Sequence, residues 1–405
     1  MGILSKITLG VFGQKQVEKR DAAPQLVSDP NFSIFGTIAN PSNEASKLAT
    51  ASRAISLLSG AYASSDVTLF TTKSGSPVAN ATHPLHDIML NGTSELSAYE
   101  LKYALMEDLV QHGEAYAHVE FDQNGKLTNL TPKRWANMNV EFLGNGRAVY
   151  RWSDPLRNFN QTVYSQSEIL HVKHRPLNSR GRSPIQLAAL SMGIAVDVEM
   201  ATAANARRGF SAGGLLSAPG AIGDDTAARL KKSLEDDYSG PDAAGKIIVA
   251  GDGLALTKFS LSNKDAELIE HRKFNSYTVA QAYGLPPESV GLPFFGSWGS
   301  AQASNQQLVS HGLEHWSQLL NQSIVAFVMS QRERRQNYLA SDFSAYTRGT
   351  LQDVAAAYSS LTSSGVMTVN EARSVFDLPA KTGGDELRVP LNTAAIAAGN
   401  QGATA

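Results

Sequence analysis

The 405-residue chain has no cysteine. That absence excludes a disulfide framework, thiol catalysis and cysteine-ligated zinc, and it fits an intracellular protein. No apolar run approaches the about twenty residues a membrane helix needs. The opening Met1-Gly-Ile-Leu-Ser-Lys is too short and polar for a secretory signal, and its sixth position lacks the Ser or Thr of a myristoylation sequence. Neither charge dominates: 35 Lys and Arg against 37 Asp and Glu leave a formal net charge of -2. The totals therefore carry no basic footprint of a dedicated nucleic-acid binder. There is no P-loop and no G-x-G-x-x-G, and no cofactor is expected.

What is present permits a proper core, with 42% hydrophobic and 18% charged residues, and the length predicts two or three domains. The chain is organised around Asp265–Arg334. Asp265–Tyr283 reads as a helix carrying Leu268, Ile269, Phe274, Val279 and Tyr283, stopped by Gly284-Leu-Pro-Pro287. A loop with three glycines and three aromatics follows from Gly291 through Phe294, Phe295, Gly296, Ser297, Trp298 and Gly299. A second long helix is predicted over 304–334. Flexible backbone carrying exposed aromatics between two long helices suggests a moving part on a rigid frame.

Before this region, residues 1–44 read as a loosely packed arm. Glu44–Gly60 is predicted helical with a glycine stop, Val67–Thr71 a short strand, and Ser97–His112 a helix striped by Leu101, Leu105 and Leu109 and ended by Gly113. An antiparallel meander follows, with turns at Asp122–Gly125 and Gly144-Asn-Gly146 and later strands Gln161–Tyr164 and Ile169–Lys173. Strands without intervening helices place the class as α+β. Ser183-Pro184 is a helix start, and the Ala-rich helix to about Arg208 is apolar on most sides, with Asp197 and Glu199 its only acids. Residues 210–261 read as a small inserted α/β unit. Thr350–Ser363 and Thr368–Val375 are predicted helices, and residues 380–405 a flexible tail.

Two patterns resemble catalytic motifs. Gly209-Phe-Ser211-Ala-Gly213 matches G-x-S-x-G, but a helix precedes and an extended segment follows, the inverse of a nucleophile elbow. It reads as a glycine-rich connector, with a serine hydrolase through Ser211 as the alternative. His311-Gly-Leu-Glu314-His315 matches H-x-x-E-H, and a helix would put both histidines on one face. The third ligand is missing, since the next acid, Glu333, lies inside the cluster Arg332, Arg334 and Arg335. Two solvated histidines are therefore expected, and a zinc metallopeptidase is the alternative. The pairs His83/His86 and His171/His174 read as polar surface residues.

The order of segments resembles the tailed-bacteriophage portal family of the long-tailed phage and prophage type. The carriers are Gly113-Glu-Ala-Tyr116 before the Asp122–Gly125 hairpin, Glu168-Ile-Leu-His-Val172 before Gly181-Arg-Ser-Pro-Ile185, and Asp265-Ala-Glu-Leu with Arg272. They continue with Val279-Ala-Gln-Ala-Tyr-Gly-Leu-Pro-Pro-Glu288 and Gly291, then Ser304-Asn305. Last come Gly365-Val-Met-Thr-Val-Asn370-Glu-Ala-Arg373, Leu378-Pro379 and Gly383-Gly-Asp385. The aromatic Phe294, Phe295 and Trp298 depart from the family pattern.

The resemblance implies a non-enzymatic ring of about twelve copies at one capsid vertex. Its partners would be the terminase large subunit, the major capsid protein, a head–tail connector, and double-stranded DNA passing through without sequence specificity. No membrane is involved, and the location would be the virion, with the host cytoplasm during assembly. It implies a wing over 45–180, stem helices over 181–209 and 262–290, a clip over 210–261 and a tunnel loop over 291–303. A wing helix and following segment would occupy 304–349, and a crown 350–379. Channel-lining candidates are Asp197, Glu199, Asp265, Glu267 and Glu270, whose charge would repel phosphate and permit sliding. Clip candidates for partner binding are Asp224, Asp225, Lys231, Glu235 and Asp236.

Overall fold

The computed structural model describes residues 44–73, 76–207, 214–217, 225, 229, 255–258, 262–293, 299–347, 351–376 and 378–387. Helices and antiparallel strands make it an α+β protein. The described residues fall into two compact units. One takes residues up to 52, 111–114 and 173–282; the other takes 53–110, 115–172 and those from 283 on.

In the second unit, strand Asp66–Lys73 pairs antiparallel with Ser76–Ala79 on one side and with Asn337–Asp342 on the other. Val67 and Leu69, two residues apart, are both fully buried, as the strand period requires. Helix Glu314–Val328 adds Trp316, Leu320, Ile324 and Val325 to the core. Its Asn321 is a buried polar relay. Its Oδ1 accepts from the Tyr62 hydroxyl at 2.7 Å, and its Nδ2 donates to Ser341 Oγ at 2.9 Å. Burial holds the Tyr62 hydroxyl protonated far above its ordinary range. Lys102, also buried, donates to the Ser65 carbonyl at 2.7 Å and closes the end of helix Ala49–Ser64.

The same unit carries two further three-stranded sheets, ordered 127–133, 114–121, 169–173 and 138–142, 148–154, 160–165. The predicted meander is thus two sheets, split at Trp135–Asn137. Asp108, buried on helix Ala98–His112, fixes that split: its Oδ2 accepts from the Trp135 N–H at 2.9 Å and its Oδ1 lies 3.2 Å from Arg134. Alternation then buries Met138 and Val140 from one strand and Ala148, Tyr150 and Trp152 from the next, around Tyr116 and Ile169.

Several expectations are corrected. Helix Ala49–Ser64 runs through Gly60 instead of stopping there, because Ala61, Tyr62 and Ala63 are buried and packing outweighs the roughly 1 kcal/mol cost of an interior glycine. Helix Pro84–Asn91 was not anticipated. His83 caps it, its Nδ1 accepting from the Leu85 N–H. The long 304–334 helix begins at Gly299 and passes through a π-helical turn, Leu308–Leu313. It ends at Val328, where the chain turns toward an unanticipated strand, Asn337–Asp342. Arg332, Arg334 and Arg335 therefore occupy a turn and a 3-10 segment and not a helix end. Gly312, inside the π-helical turn, is a packing site: a Cβ there would meet Leu285 Cδ2 at 3.0 Å.

Candidate functional site

The first unit is built on a helical hairpin. The expected 184–208 helix is two pieces, Pro184–Leu187 and Ala189–Arg207, interrupted at Ala188. Ser183 and Gln186 form a reciprocal capping box at its start. Past its far end, strands Gly214–Ser217 and Ala255–Lys258 pair antiparallel, and helix Ser262–Ala282 packs back along Ala189–Arg207.

A clasp anchors the hairpin. The Glu114 carboxylate is buried. Oε1 accepts from Arg180 Nε at 2.8 Å and from the Gly181 N–H at 2.7 Å, and Oε2 accepts from Arg180 Nη2 at 2.7 Å. Bidentate pairing of this kind is geometrically specific. Gly113, at φ +77°, and Gly181 lie so close that a Cβ on Gly181 would sit 2.0 Å from the Gly113 carbonyl oxygen. His174 completes the clasp: its N–H donates to Gly113 O, its carbonyl accepts from the Arg182 N–H, and its Nδ1 contacts Arg182 O, each at 2.8 Å. Lys173 is held below its ordinary pKa by burial, with Glu114 opposing. Thus Gly113-Glu and Gly181-Arg-Ser-Pro, distant in sequence, form one device at the start of the hairpin.

The channel-lining candidates divide. Glu199 is neutralised by Arg272, with Nε at 3.1 Å and Nη2 at 3.0 Å from Oε1 and Nη2 at 3.1 Å from Oε2. Glu270 pairs with Lys273 at 3.0 Å within its own helix. Asp197 is half-buried and makes no ion pair among the described residues. Asp265 and Glu267 lie on helix Ser262–Ala282, their side chains outside the described set. Acids that sequence alone presents as a repulsive cluster are in part locally compensated. The hairpin also shows apolar side chains to solvent: Leu190, Ile194 and Met200 on one helix, and Phe274, one of the apolar residues carried by the other, 70% exposed.

Of the remaining candidates, Gly299 opens helix Gly299–Gln307, so residues 299–303, expected in a loop, are helical. Phe294, Phe295, Gly296, Ser297 and Trp298 lie outside the described residues, as do Asp224, Lys231, Glu235, Asp236 and Ser211. Asp225 is exposed and helical.

His311 and His315 are both exposed, as two solvated histidines are expected to be. His311 sits in the π-turn with Nδ1 3.1 Å from Ser310 Oγ, and the His315 ring meets Trp316 edge-on at 5.6 Å. Among the described residues no group of three metal-ligating side chains converges, which leaves the metallopeptidase reading without support. His171 and His174 are corrected from surface to interior: His174 is buried, and His171 packs 4.5 Å from the Tyr116 ring and bonds the Tyr150 hydroxyl at 3.1 Å.

A second clasp closes the C-terminal helices. Thr368 and Glu371 form a capping box on Val369–Val375. Asn370 Nδ2 donates to Lys381 O and Asp385 Oδ1, both at 2.9 Å, and its Oδ1 accepts from the Lys381 N–H at 2.8 Å. Gly384 leaves room for it, since a Cβ would lie 2.3 Å from Asn370 Oδ1.

Solved structures share this architecture and define the class as the portal fold. An HK97-family phage portal protein from Corynebacterium diphtheriae superposes with a TM-score of 0.56 at 17% identity, covering 75% of this chain and 95% of that one. A chain from the neck of an empty gene transfer agent particle, computed with C6 symmetry, gives 0.55 at 18%, covering 84% and 92%. The chain belongs to the phage portal protein family, whose model matches residues 49–377. It is 25% identical over 351 residues to the portal protein of Enterobacteria phage HK97, covering 84% of this chain and 80% of that one. It is 23% identical over 235 residues to a probable portal protein of Streptomyces phage phiC31, covering 56% and 51%.

Proposed function

We propose that the chain assembles into a ring of about twelve copies at one capsid vertex and serves as a conduit for double-stranded DNA. The observation that carries this reading is the hairpin, which joins locally compensated acids to solvent-exposed apolar residues. A conduit must not grip its cargo. Among the described residues the hairpin's Arg272 and Lys273 are paired with Glu199 and Glu270, which holds these cations back from phosphate. The exposed Leu190, Ile194, Met200 and Phe274 supply the apolar surface on which neighbouring copies close.

On this reading the hairpin is the stem, with Asp197, Glu199 and Glu270 toward the channel. Residues 210–261 are the clip that meets the terminase large subunit and later the head–tail connector, 350–379 the crown, and 291–298 the tunnel loop. The protein acts in the virion, beside the major capsid protein, after assembly in the host cytoplasm. It works by geometry and not by catalysis. Two neck structures of gene transfer agent particles were computed with C6 and with C12 symmetry, which agrees with a ring.

Electron microscopy with mass photometry on the purified protein tests the proposal. Perforated rings of about twelve copies are expected; a monomer at every concentration, with or without scaffold and capsid protein, overturns it. Trp298→Ala is expected to impair packaging while rings still form; loss of rings would place Trp298 between copies instead.

A further inference from the structure

The turn between helix Glu314–Val328 and strand Asn337–Asp342 carries Arg332, Arg334 and Arg335, all three exposed. Arg134, Arg151, Arg180 and Arg272 have carboxylate partners; among the described residues none of the turn's arginines has one. The one acid between them is engaged elsewhere. Glu333 Oε2 accepts from the Ser330 N–H at 2.9 Å and from Ser330 Oγ at 2.8 Å, and the Glu333 N–H donates back to Ser330 Oγ at 3.4 Å. This reciprocal cap, with Asn337 Nδ2 donating to the Glu333 carbonyl at 2.9 Å, fixes the backbone of the turn. Residues 333–335 are a 3-10 turn, and Arg332 ahead of them has helical geometry. Side chains three apart on such a turn eclipse, so Arg332 and Arg335 rise from one face about 6 Å apart. Arg334 leaves by another face and lines the cleft that Glu314 also lines. Lys126, exposed and without an ion pair among the described residues, adds to the same surface: His83 lies within electrostatic reach of both Lys126 and Glu333.

We infer that Arg332 and Arg335 hold the phosphate backbone of double-stranded DNA on the second unit, a contact separate from passage along the hairpin. Two guanidinium forks on a fixed turn suit phosphate oxygens, each taken by paired N–H groups. Residues 330–336 are all exposed and all polar, with Gln331 and Gln336 flanking the charges. A protein partner would need an apolar centre to its interface, which this turn does not offer. A polyanion needs none, because charge and counterion release supply nearly all of non-specific DNA binding. Such contacts position a duplex and carry no sequence information. On the hairpin, by contrast, Arg272 and Lys273 are spent on their own acids. The chain thus keeps paired cations on one unit, where a duplex slides, and unpaired ones on the other, where it is held. The choice of DNA as the polyanion rests on the conduit reading above, while the binding itself needs no ring.

The test follows a labelled duplex of about 30 base pairs, in two unrelated sequences, by fluorescence anisotropy between about 50 and 200 mM salt, with mass photometry on the same samples. Wild type is compared with Arg332→Gln/Arg335→Gln, whose exposed positions spare the core, and with Arg157→Gln. Arg157 is as exposed but already has Asp154 at 3.7 Å. Wild type is expected to bind both sequences alike, and Arg157→Gln to match it. The double variant is expected to lose roughly tenfold in affinity at the lower salt and to flatten the slope of log K against log salt by about 2, the share of two phosphate contacts. Unchanged affinity or slope in the double variant, or an equal loss in Arg157→Gln, overturns the inference. So does wild type that ignores the duplex but binds labelled polyglutamate, which would assign the turn to an acidic protein segment. Rings lost only in the double variant would put the arginines between copies and overturn it as well. Wild type that forms no ring yet binds DNA through these two arginines overturns the ring and leaves this inference standing.

Discussion

Glu114 and Arg180 face each other as a two-pronged pair, with the carboxylate buried and the guanidinium 40% exposed. The buried member also holds the Gly181 N–H, so its loss unanchors the turn in which Asn178 and Ser179 adopt φ of 48° and 68°. Glu114→Ala is expected to destabilise by roughly 2–3 kcal/mol, less than a fully buried pair because Arg180 regains water. Gly181→Ala is expected to do at least as much harm, since its methyl would collide with backbone. Denaturant midpoints of both variants check this; wild-type midpoints would mean that the clasp only decorates the fold.

Asp108 makes stability depend on pH. Burial pushes its carboxyl up to about 6, against the pull of Arg134 and the Trp135 N–H. The folded state therefore binds this proton more tightly than the unfolded chain, whose carboxyl titrates near the ordinary value of about 3.9. The contribution is fully present below the unfolded value and is lost as pH rises through about 6. Between pH 4 and 6 the Asp108→Asn variant is expected to show a flatter stability profile than wild type in parallel melts.

Phe274 is a test of assembly and not of folding. At 70% exposure its replacement by Ser is expected to change protomer stability by no more than about 0.5 kcal/mol. If a neighbouring copy buries it, each interface weakens by about 1.5–3 kcal/mol, and the midpoint of assembly moves to higher concentration. Mass photometry across a dilution series reads this directly; an unmoved midpoint would remove Phe274 from the interface.

Asn370, on helix Val369–Val375, ties down the 381–385 segment with three side-chain bonds beside the backbone bond from its N–H to Gly384 O. Asn370→Ala is expected to cost roughly 2 kcal/mol and to raise amide exchange in 378–385 while the sheets stay protected. Hydrogen exchange resolved by segment distinguishes this from global loosening.

Local chemistry was readable in advance. Helix Ala98–His112 with its Gly113 stop, the turns at Asp122–Gly125 and Gly144–Gly146, and the Ser183-Pro184 start all follow from residues within a turn of one another. What escaped depends on distant partners. Asn337–Asp342 is short and follows an arginine cluster; it is a strand because Asp66–Lys73 lies beside it. Gly60 stays helical because of what buries its neighbours. The compensation of Glu199 by Arg272 joins residues 73 positions apart, invisible to any window along the chain. The π-turn at Leu308–Leu313 and the burial of His171 and His174 likewise come from tertiary packing.

The pairing of Asp66–Lys73 with Asn337–Asp342 also bears on how the protein is made. Thr71 bonds Asn337, 266 residues later. At ribosomal rates of about 5–20 residues per second, the earlier strand waits roughly 13 to 50 s for its partner to be synthesised. Through that interval Val67 and Leu69 have no completed sheet to enter, and the strand keeps an open edge in a cell making many identical chains. Nascent-chain protection over residues 66–73 is thus a requirement written into the topology, and slowed synthesis ahead of 337 should lower soluble yield without altering any residue.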